Sequence, residues 1–479
     1  TNYVNAGGRL LAMRPDSQIK GLFGLGGSAG LLNSGYLRID TNVALNDAIP
    51  GQDLTNATLQ IHGDADRYSP VAGAVALAQL YSNATTSTIY PAVISAASGR
   101  AVAFTYDLAQ NVVYTRQGNP ANANVDTDGD GVLRTVDLFL ATGGGSPWVN
   151  RDKIPIPQAD EQQRLFARLV KQLVGEVRPL PQLWYFPGNA KTMLIPTGDA
   201  HANPTSYYQN EITSLSGHGG TATFYISQGG EPSSSQMNSW RSQGYEFGIH
   251  PSRPLTSGYL MINGWWDMTH PTVPKSRTVR NHQVAWEGWT AAADIEVTYG
   301  MALDTNFYHW GTWLQKGDGS WPHGYITGSG QPMKFIRADG TVLPLYQQLT
   351  QLVDEHLISG ISGGFENLSA TQAISVSKEL IDASQAGDYA ALMTQFHVDY
   401  YGFGALKEWA EGTLDYANNQ GVPIWNADQW LSFTEIRHDA EYGNITWNNT
   451  TKLLNFDLSA TATSGINLTA ILPLTYQGN

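Results

Sequence analysis

Cysteine is absent from all 479 residues. That excludes disulfides, thiolate metal sites and every cysteine nucleophile, whatever the fold. Charge is scarce as well. Asp, Glu, Lys and Arg make up 14% of the chain, against roughly a quarter in soluble proteins generally. The balance leans acidic, with a formal net charge of −14. No cluster of Lys and Arg offers phosphates a counter-charge, so nucleic acid is excluded as a partner. No apolar run is long enough for a membrane-spanning helix. No signal-peptide pattern is found in the sequence, and its abrupt opening at Thr1-Asn2-Tyr3-Val4 leads us to expect a trimmed or processed N-terminus.

Hydrophobic residues, at 42% with 14 Trp, 23 Tyr and 14 Phe, exclude disorder. The length calls for two or three domains rather than one core. With so little charge, the surface must be rich in Ser, Thr, Asn, Gln and Gly. That composition is common in secreted proteins that handle carbohydrate, so an extracellular or cell-surface location is expected. Seven glycosylation sequons, at Asn56, Asn83, Asn367, Asn444, Asn448, Asn449 and Asn467, fit the same expectation.

Two residue types mark a boundary. Only Trp148 among the 14 Trp, and only His62 among the 11 His, precede residue 180. Segment 1–178 alternates short apolar strands (Arg9–Met13, Ala101–Phe104) with helical stretches such as Gly73–Tyr81. It closes on Glu161–Val174, where Leu165, Phe166, Leu169, Val170 and Leu173 form a helical stripe. This is an α/β pattern, and Pro179-Leu180-Pro181 reads as a linker. Residues 182–432 read as strand-then-helix units. Strands are expected near 192–197, 222–227, 245–250 and 295–304, helices near 343–357, 370–386 and 403–419. The expected architecture is a β/α barrel. Residues 433–479 read as short β-strands that dock on the barrel or belong to a further domain.

The middle segment carries polar groups that end or follow apolar runs. Asp199 comes after Met193-Leu194-Ile195, His250 after Phe247-Gly248-Ile249 and Asp304 after Met301-Ala302-Leu303; His201, Glu246, Arg280, His282 and His397 lie nearby in sequence. Buried parallel strands have this texture, and their carboxyl ends are where barrel enzymes gather reactive groups. Imidazole and carboxylate together suit a divalent transition metal such as zinc. Asp199 and His201 stand two apart, so both can point the same way.

In order, Thr197-Gly198-Asp199-Ala200, Gly244–Pro254, Arg280-Asn281-His282-Gln283, Gly300–Asp304 and Phe396-His397 resemble the five motifs of the polysaccharide deacetylases, carbohydrate esterase family 4. The likeness spans about half of the chain. It implies a deacetylase-like β/α barrel, a metal-dependent hydrolysis of acetyl groups and a polysaccharide substrate. It assigns Asp199 as base, His250 as ligand, Arg280 as the group that orients Asp199, and His397 as general acid. Two positions depart from it: Ala200 stands where the family has a metal-binding Asp, and Pro254 where it has a second ligand His. Either His201 and His282 rebuild the ligand set with His250, or the domain has lost metal and activity. Segment 1–178, through Tyr3–Pro15, looks like the later part of a class I glutamine amidotransferase-like domain, expected to be structural because no thiol is present.

Seven Trp fall between residues 265 and 321; Trp310 and Trp321, in a loop flanked by Gly and Pro, are expected to face a glycan. Outside the barrel, Asp126-Thr127-Asp128-Gly129-Asp130-Gly131-Val132 through Asp137 spaces acids as a calcium loop does. Asp126, Asp128, Asp130, the carbonyl of Val132 and Asp137 are the candidate ligands, and the Gly at the sixth position permits the turn. Three functions stay open on these residues. One is a secreted metal-dependent deacetylase; another is a non-catalytic glycan-binding or structural protein. The third is a glycosidase using Asp199 with Glu246 or Asp304.

Overall fold

The protein was analysed as a computed structural model, which describes residues 2–43, 54–141, 147–175, 177–229, 232–361, 363–402, 404–461, 463 and 465–476. Its middle part is a seven-stranded parallel sheet curled into a nearly closed barrel. The strands are β1 (Met193–Ala200), β2 (Thr223–Ile226), β3 (Glu246–Ile249), β4 (Thr278–Val279), β5 (Leu303–Tyr308), β6 (Val342–Val353) and β7 (Ala391–Gln395). Their order is β3-β2-β1-β7-β6-β5-β4, with every neighbouring pair parallel. The two ends approach each other: Ser276 N donates to Phe247 O at 2.8 Å. Gly248 permits this, because a Cβ there would stand 3.0 Å from Thr278 O. Strand Met333–Ile336 adds to β6 antiparallel.

Helices wrap the outside, and several begin with the same signal. Ser233 with Gln236, Ser369 with Gln372 and Asn426 with Gln429 form reciprocal capping boxes, which satisfy amide groups that the first turn leaves free. The barrel interior is plugged by Arg280, whose side chain is fully buried. Its guanidinium donates to Thr197 Oγ1 (2.8 Å), Thr350 Oγ1 (3.0 Å), Thr305 O (3.3 Å) and Gln395 Oε1. Tyr225 and Tyr308 face it at 5.2 and 4.9 Å. A buried charge persists only when paired in this way.

Preceding the barrel is a six-stranded mixed sheet in which Leu10–Met13 runs parallel to Ala101–Phe104 and the remaining pairs are antiparallel. Helix Gln158–Gly175 buries Leu165, Leu169 and Leu173 against this sheet; Val170, expected in the same stripe, is exposed. Three element expectations are corrected. Residues 75–81 form a strand, not a helix, because ladders on both sides override the Ala-rich local preference. Residues 343–353 lie in β6, and the helix expected there is confined to Asp354–Leu357. Gln347, Gln348, Thr350 and Gln351 are buried in that strand and hydrogen-bonded, so its polar positions mimic a solvent face. The expected strand 295–304 is the helix Ala291–Thr298, a left-handed turn at Gly300, and then β5. After the barrel, helix Ala427–Asp439 leads into the hairpin Glu441–Asn448 and Leu453–Ser459, and Ala470–Ile471 pairs with Gln182–Leu183. Among the described residues no helix is long and apolar enough to cross a membrane.

Candidate metal and catalytic site

The carboxyl ends of the barrel strands open into a cleft of about 460 Å³, lined by Asp199, His201, His250, His282, Tyr308, Trp310, Glu355, His397 and Asp399, together with Arg134 from the preceding segment. His201, His250 and His282 come together: one nitrogen of each lies within 4.8 Å of the others. Their ring centres are 5.0, 5.1 and 5.4 Å apart.

Hydrogen bonds fix which nitrogens point inward. His250 Nδ1 faces the carbonyl of Arg280 at 2.8 Å, so it carries the proton and leaves Nε2 bare. His201 Nδ1 is held at 2.9 Å by Asp399 Oδ2, and its Nε2 is buried with no hydrogen-bond partner. Orienting one ring nitrogen with a carbonyl or carboxylate so that the other is a lone pair is what metal ligation requires. Burial holds His250 neutral, pushing it down to about 3. It lowers His282 too, with His201 adding to the effect. Three converging imidazoles, one with an orphaned buried nitrogen, fit a divalent transition metal with a fourth position free.

Asp199 stands beside them. Burial opposes its ionisation, but the groups around it, the Arg280 guanidinium and the His397 imidazolium among them, outweigh burial and keep it below the usual carboxylate range. Arg280 Nη1 is 3.3 Å from Oδ1, while His250 Nε2 and His397 Nε2 are each 3.9 Å from Oδ2. His397 is gripped by Asp354, through its backbone N–H (2.7 Å) and Nδ1 (2.9 Å). Burial alone would depress it; Asp354, Glu355 and Asp199 instead raise it to about 10, so it is an imidazolium at neutral pH. A close approach of β1 and β7 positions it, since any Cβ at Gly198 would fall 2.7 Å from Phe396 O.

The two departures from the deacetylase motifs have structural answers. Ala200 is fully buried in the core outside the barrel, on the opposite side of β1 from Asp199, so its place is not in the cleft. Pro254 precedes helix Leu255–Thr269, and His282, hydrogen-bonded through its backbone to Pro251 O at 2.9 Å, supplies an imidazole instead.

Other expected residues lie elsewhere. Glu246 sits at the amino end of β3, paired with Arg241 at 2.7 Å. Asp304 is buried beside Glu296 and Asn306, facing helix Ala291–Thr298. Neither lines the cleft, so neither can pair with Asp199 across a glycosidic bond. Trp310 does line it, with Arg134 over its ring at 5.1 Å. Trp321 does not; it packs on His356 behind the cleft wall. Sequence reasoning missed Asp354, Glu355, Asp399 and Arg134. The first two follow Leu352-Val353, the same apolar-then-acid signal that marked Asp199.

In the acidic loop, Asp126, Asp128 and Asp130 converge, exposed. Asp137 does not join them, since its carboxylate accepts from Thr127 N (2.7 Å) and Arg134 N (2.8 Å). Val132 is buried, its N–H on Asp130. Partial burial and the neighbouring Asp130 raise Asp128 to about 6. The loop is fastened to the barrel: Arg253 donates to Gly131 O (2.9 Å) and Trp286 N to Leu133 O (2.9 Å).

No family model matches the chain, and no curated protein matches it in sequence. Solved structures are similar over about half of it. The CE4 domain of a multidomain xylanase from the hindgut metagenome of Trinervitermes trinervoides is 13% identical, covering 52% of this chain and 93% of that one, with a TM-score of 0.31. Peptidoglycan deacetylase PdaC from Bacillus subtilis is 15% identical over 51% and 91%, TM-score 0.29. A CE4 family pseudoenzyme from Bacillus anthracis is 10% identical over 51% and 66%, TM-score 0.31. Matches to both an enzyme and a pseudoenzyme, at these identities, leave function to the side-chain geometry.

Proposed function

We propose that this protein is a secreted, metal-dependent deacetylase of an acetylated polysaccharide. The observation that carries the reading is the convergence of three imidazoles beside an ionised Asp199 and a protonated His397. His201, His250 and His282 would hold the metal. When bound, a divalent ion there supplies Lewis-acid chemistry toward an acyl oxygen and lowers the pKa of a water. Asp199, kept ionised and oriented by Arg280, takes the proton of the attacking water as its oxygen bonds to the acetyl carbon. His397 gives its Nε2 proton to the sugar oxygen or nitrogen as the bond to the acetyl carbon breaks. Acetate and a free hydroxyl or amine result. Trp310 offers an aromatic face to a sugar ring, and Arg134 braces it.

Segment 1–178, amidotransferase-like but without a thiol, is on this reading structural: it supplies Arg134 to the cleft. The loop Asp126–Asp130 is read as a calcium site. The sparse charge and the sequons fit an extracellular glycoprotein.

The test is acetate release from acetylated glycan oligomers by zinc-loaded protein, with Asp199→Asn alongside. Loss of about 10²–10⁴ in rate with zinc retained is expected from Asp199→Asn. A wild-type protein that holds zinc yet releases no acetate from O- or N-acetylated glycans would make this a binding barrel.

A further inference from the structure

A second group of imidazoles lies behind the cleft wall. His309 follows β5, His356 sits in the short helix after β6, and His323 and Glu366 come from the two neighbouring loops. His309 and His356 are 1% and 0% exposed. Neither ring nitrogen of His356 has a hydrogen-bond partner. Its Nε2 stands 3.9 Å from Glu366 Oε2, and His323 Nε2 reaches the same carboxylate oxygen at 2.9 Å. The ring of His309, faced by the carbonyl of Pro322, is centred 5.2 Å from that of His356 and 6.2 Å from that of His323.

Packing alone gives no reason to bury such a set. An imidazole deprived of water and left without a partner is costly, and a leucine or phenylalanine would fill the space without that cost. The cluster therefore asks for a ligand that accepts nitrogen lone pairs. Burial holds His356 down to about 3 and His309 well below its ordinary value, so these two rings are neutral. Zinc–nitrogen bonds of about 2.0–2.1 Å put the ring centres of two imidazoles on one tetrahedral ion roughly 5 Å apart. The His309–His356 pair has that separation already, as do the three rings of the cleft. His323 is the looser member, tied for now to Glu366, and ion capture draws both inward from their loops.

We propose that His309, His323, His356 and Glu366 form a second metal site, separate from the His201–His250–His282 centre, that takes a divalent transition-metal ion such as zinc. Three imidazoles and a carboxylate complete a tetrahedral set with no open position, the mark of a structural rather than a hydrolytic ion. Such an ion pins two loops behind the cleft wall. Phe365, next to Glu366, packs edge-on against Trp310 at 4.9 Å, so the ion would stiffen the aromatic wall that faces the substrate.

Zinc content decides the matter. Protein stripped with a chelator is reloaded with zinc in excess calcium, desalted, and its bound zinc counted by mass spectrometry, with circular dichroism to confirm folding. The wild type should retain two equivalents, and Glu366→Gln and His323→Gln one each. His323 is partly exposed, so its variant reports even if a more buried change misfolds. His282→Ala should also retain one, and Glu366→Gln combined with His282→Ala none. A count lowered by Glu366→Gln but not by His282→Ala would keep this site and remove the cleft centre. If folded Glu366→Gln and His323→Gln both keep the wild-type count, whatever that count is, the second site does not exist.

Discussion

In the cleft, His201 and His250 have their outer nitrogens taken by Asp399 and the Arg280 carbonyl, and their inner nitrogens are left bare. In the loop 126–137 the arrangement is reversed. Asp126 accepts from the amides of Gly129, Asp130 and Gly131, Asp128 from Asp130, and Asp130 from Val132, while Arg134 pairs with Asp130. Both regions gather three groups that could hold a cation. One has unmet demand built into a buried frame. The other is an exposed turn whose carboxylates are already satisfied by its own backbone and an arginine. The cleft should therefore depend on its ion far more than the loop does on calcium.

Removing a ligand should have the largest effect. His250→Ala is expected to lose the cleft metal and at least about 10³-fold in acetate release, since both metal and substrate activation go together. Metal content and rate measured on the same sample check this. An active, zinc-replete variant would break the comparison.

Removing the group behind a ligand should cost less. Asp399→Asn leaves His201 in place but without its carboxylate partner, and about a 10–100-fold weaker zinc affinity is expected. Competition with a chelator of known affinity measures it. An unchanged affinity would mean that Asp399 is an ordinary loop acid.

The pH dependence of stability should betray His397. Its folded value of about 10 lies above the ordinary 6.5, so the native state holds the proton more tightly than the unfolded chain. The stabilisation is complete below the unfolded value and is lost as pH rises through about 10. Urea denaturation of metal-stripped protein should show stability falling between neutral pH and that point. His397→Gln should flatten the slope, and a profile identical in both proteins would contradict the assignment.

Calcium should do least. At saturating calcium the melting temperature should rise by only a few degrees, because binding must displace Arg134 from Asp130. Asp128→Asn should abolish the rise. No difference between excess calcium and chelator would leave the loop as an acidic turn.

Much of the barrel site was legible because one signal repeats: an apolar run, then a polar group. Asp199 and His250 were read that way, Asp199 with His201 by their spacing, and His282 through the resemblance of Arg280-Asn281-His282-Gln283 to a deacetylase motif. The same signal at Asp354 was hidden. β6 carries buried glutamines and threonine, which imitate the polar face of an amphipathic helix, so its carboxyl end could not be recognised as a strand end. Asp304 shows the converse failure. It follows an apolar run, yet alternation along β5 turns it outward toward Glu296. Period two decides the face, and a short run does not reveal its phase. Arg134 was beyond reach of sequence, since nothing local indicates that a loop far upstream is clamped onto the cleft.

The central claim is that His201, His250 and His282 share one ion. Diffraction from zinc-loaded crystals on both sides of the zinc absorption edge tests it without reference to any substrate. An anomalous peak at about 2.0–2.1 Å from one nitrogen of each imidazole, with Asp199 alongside, is the predicted result. A cleft without that peak in crystals whose protein is otherwise loaded with zinc, or three imidazoles turned apart onto water, would contradict it.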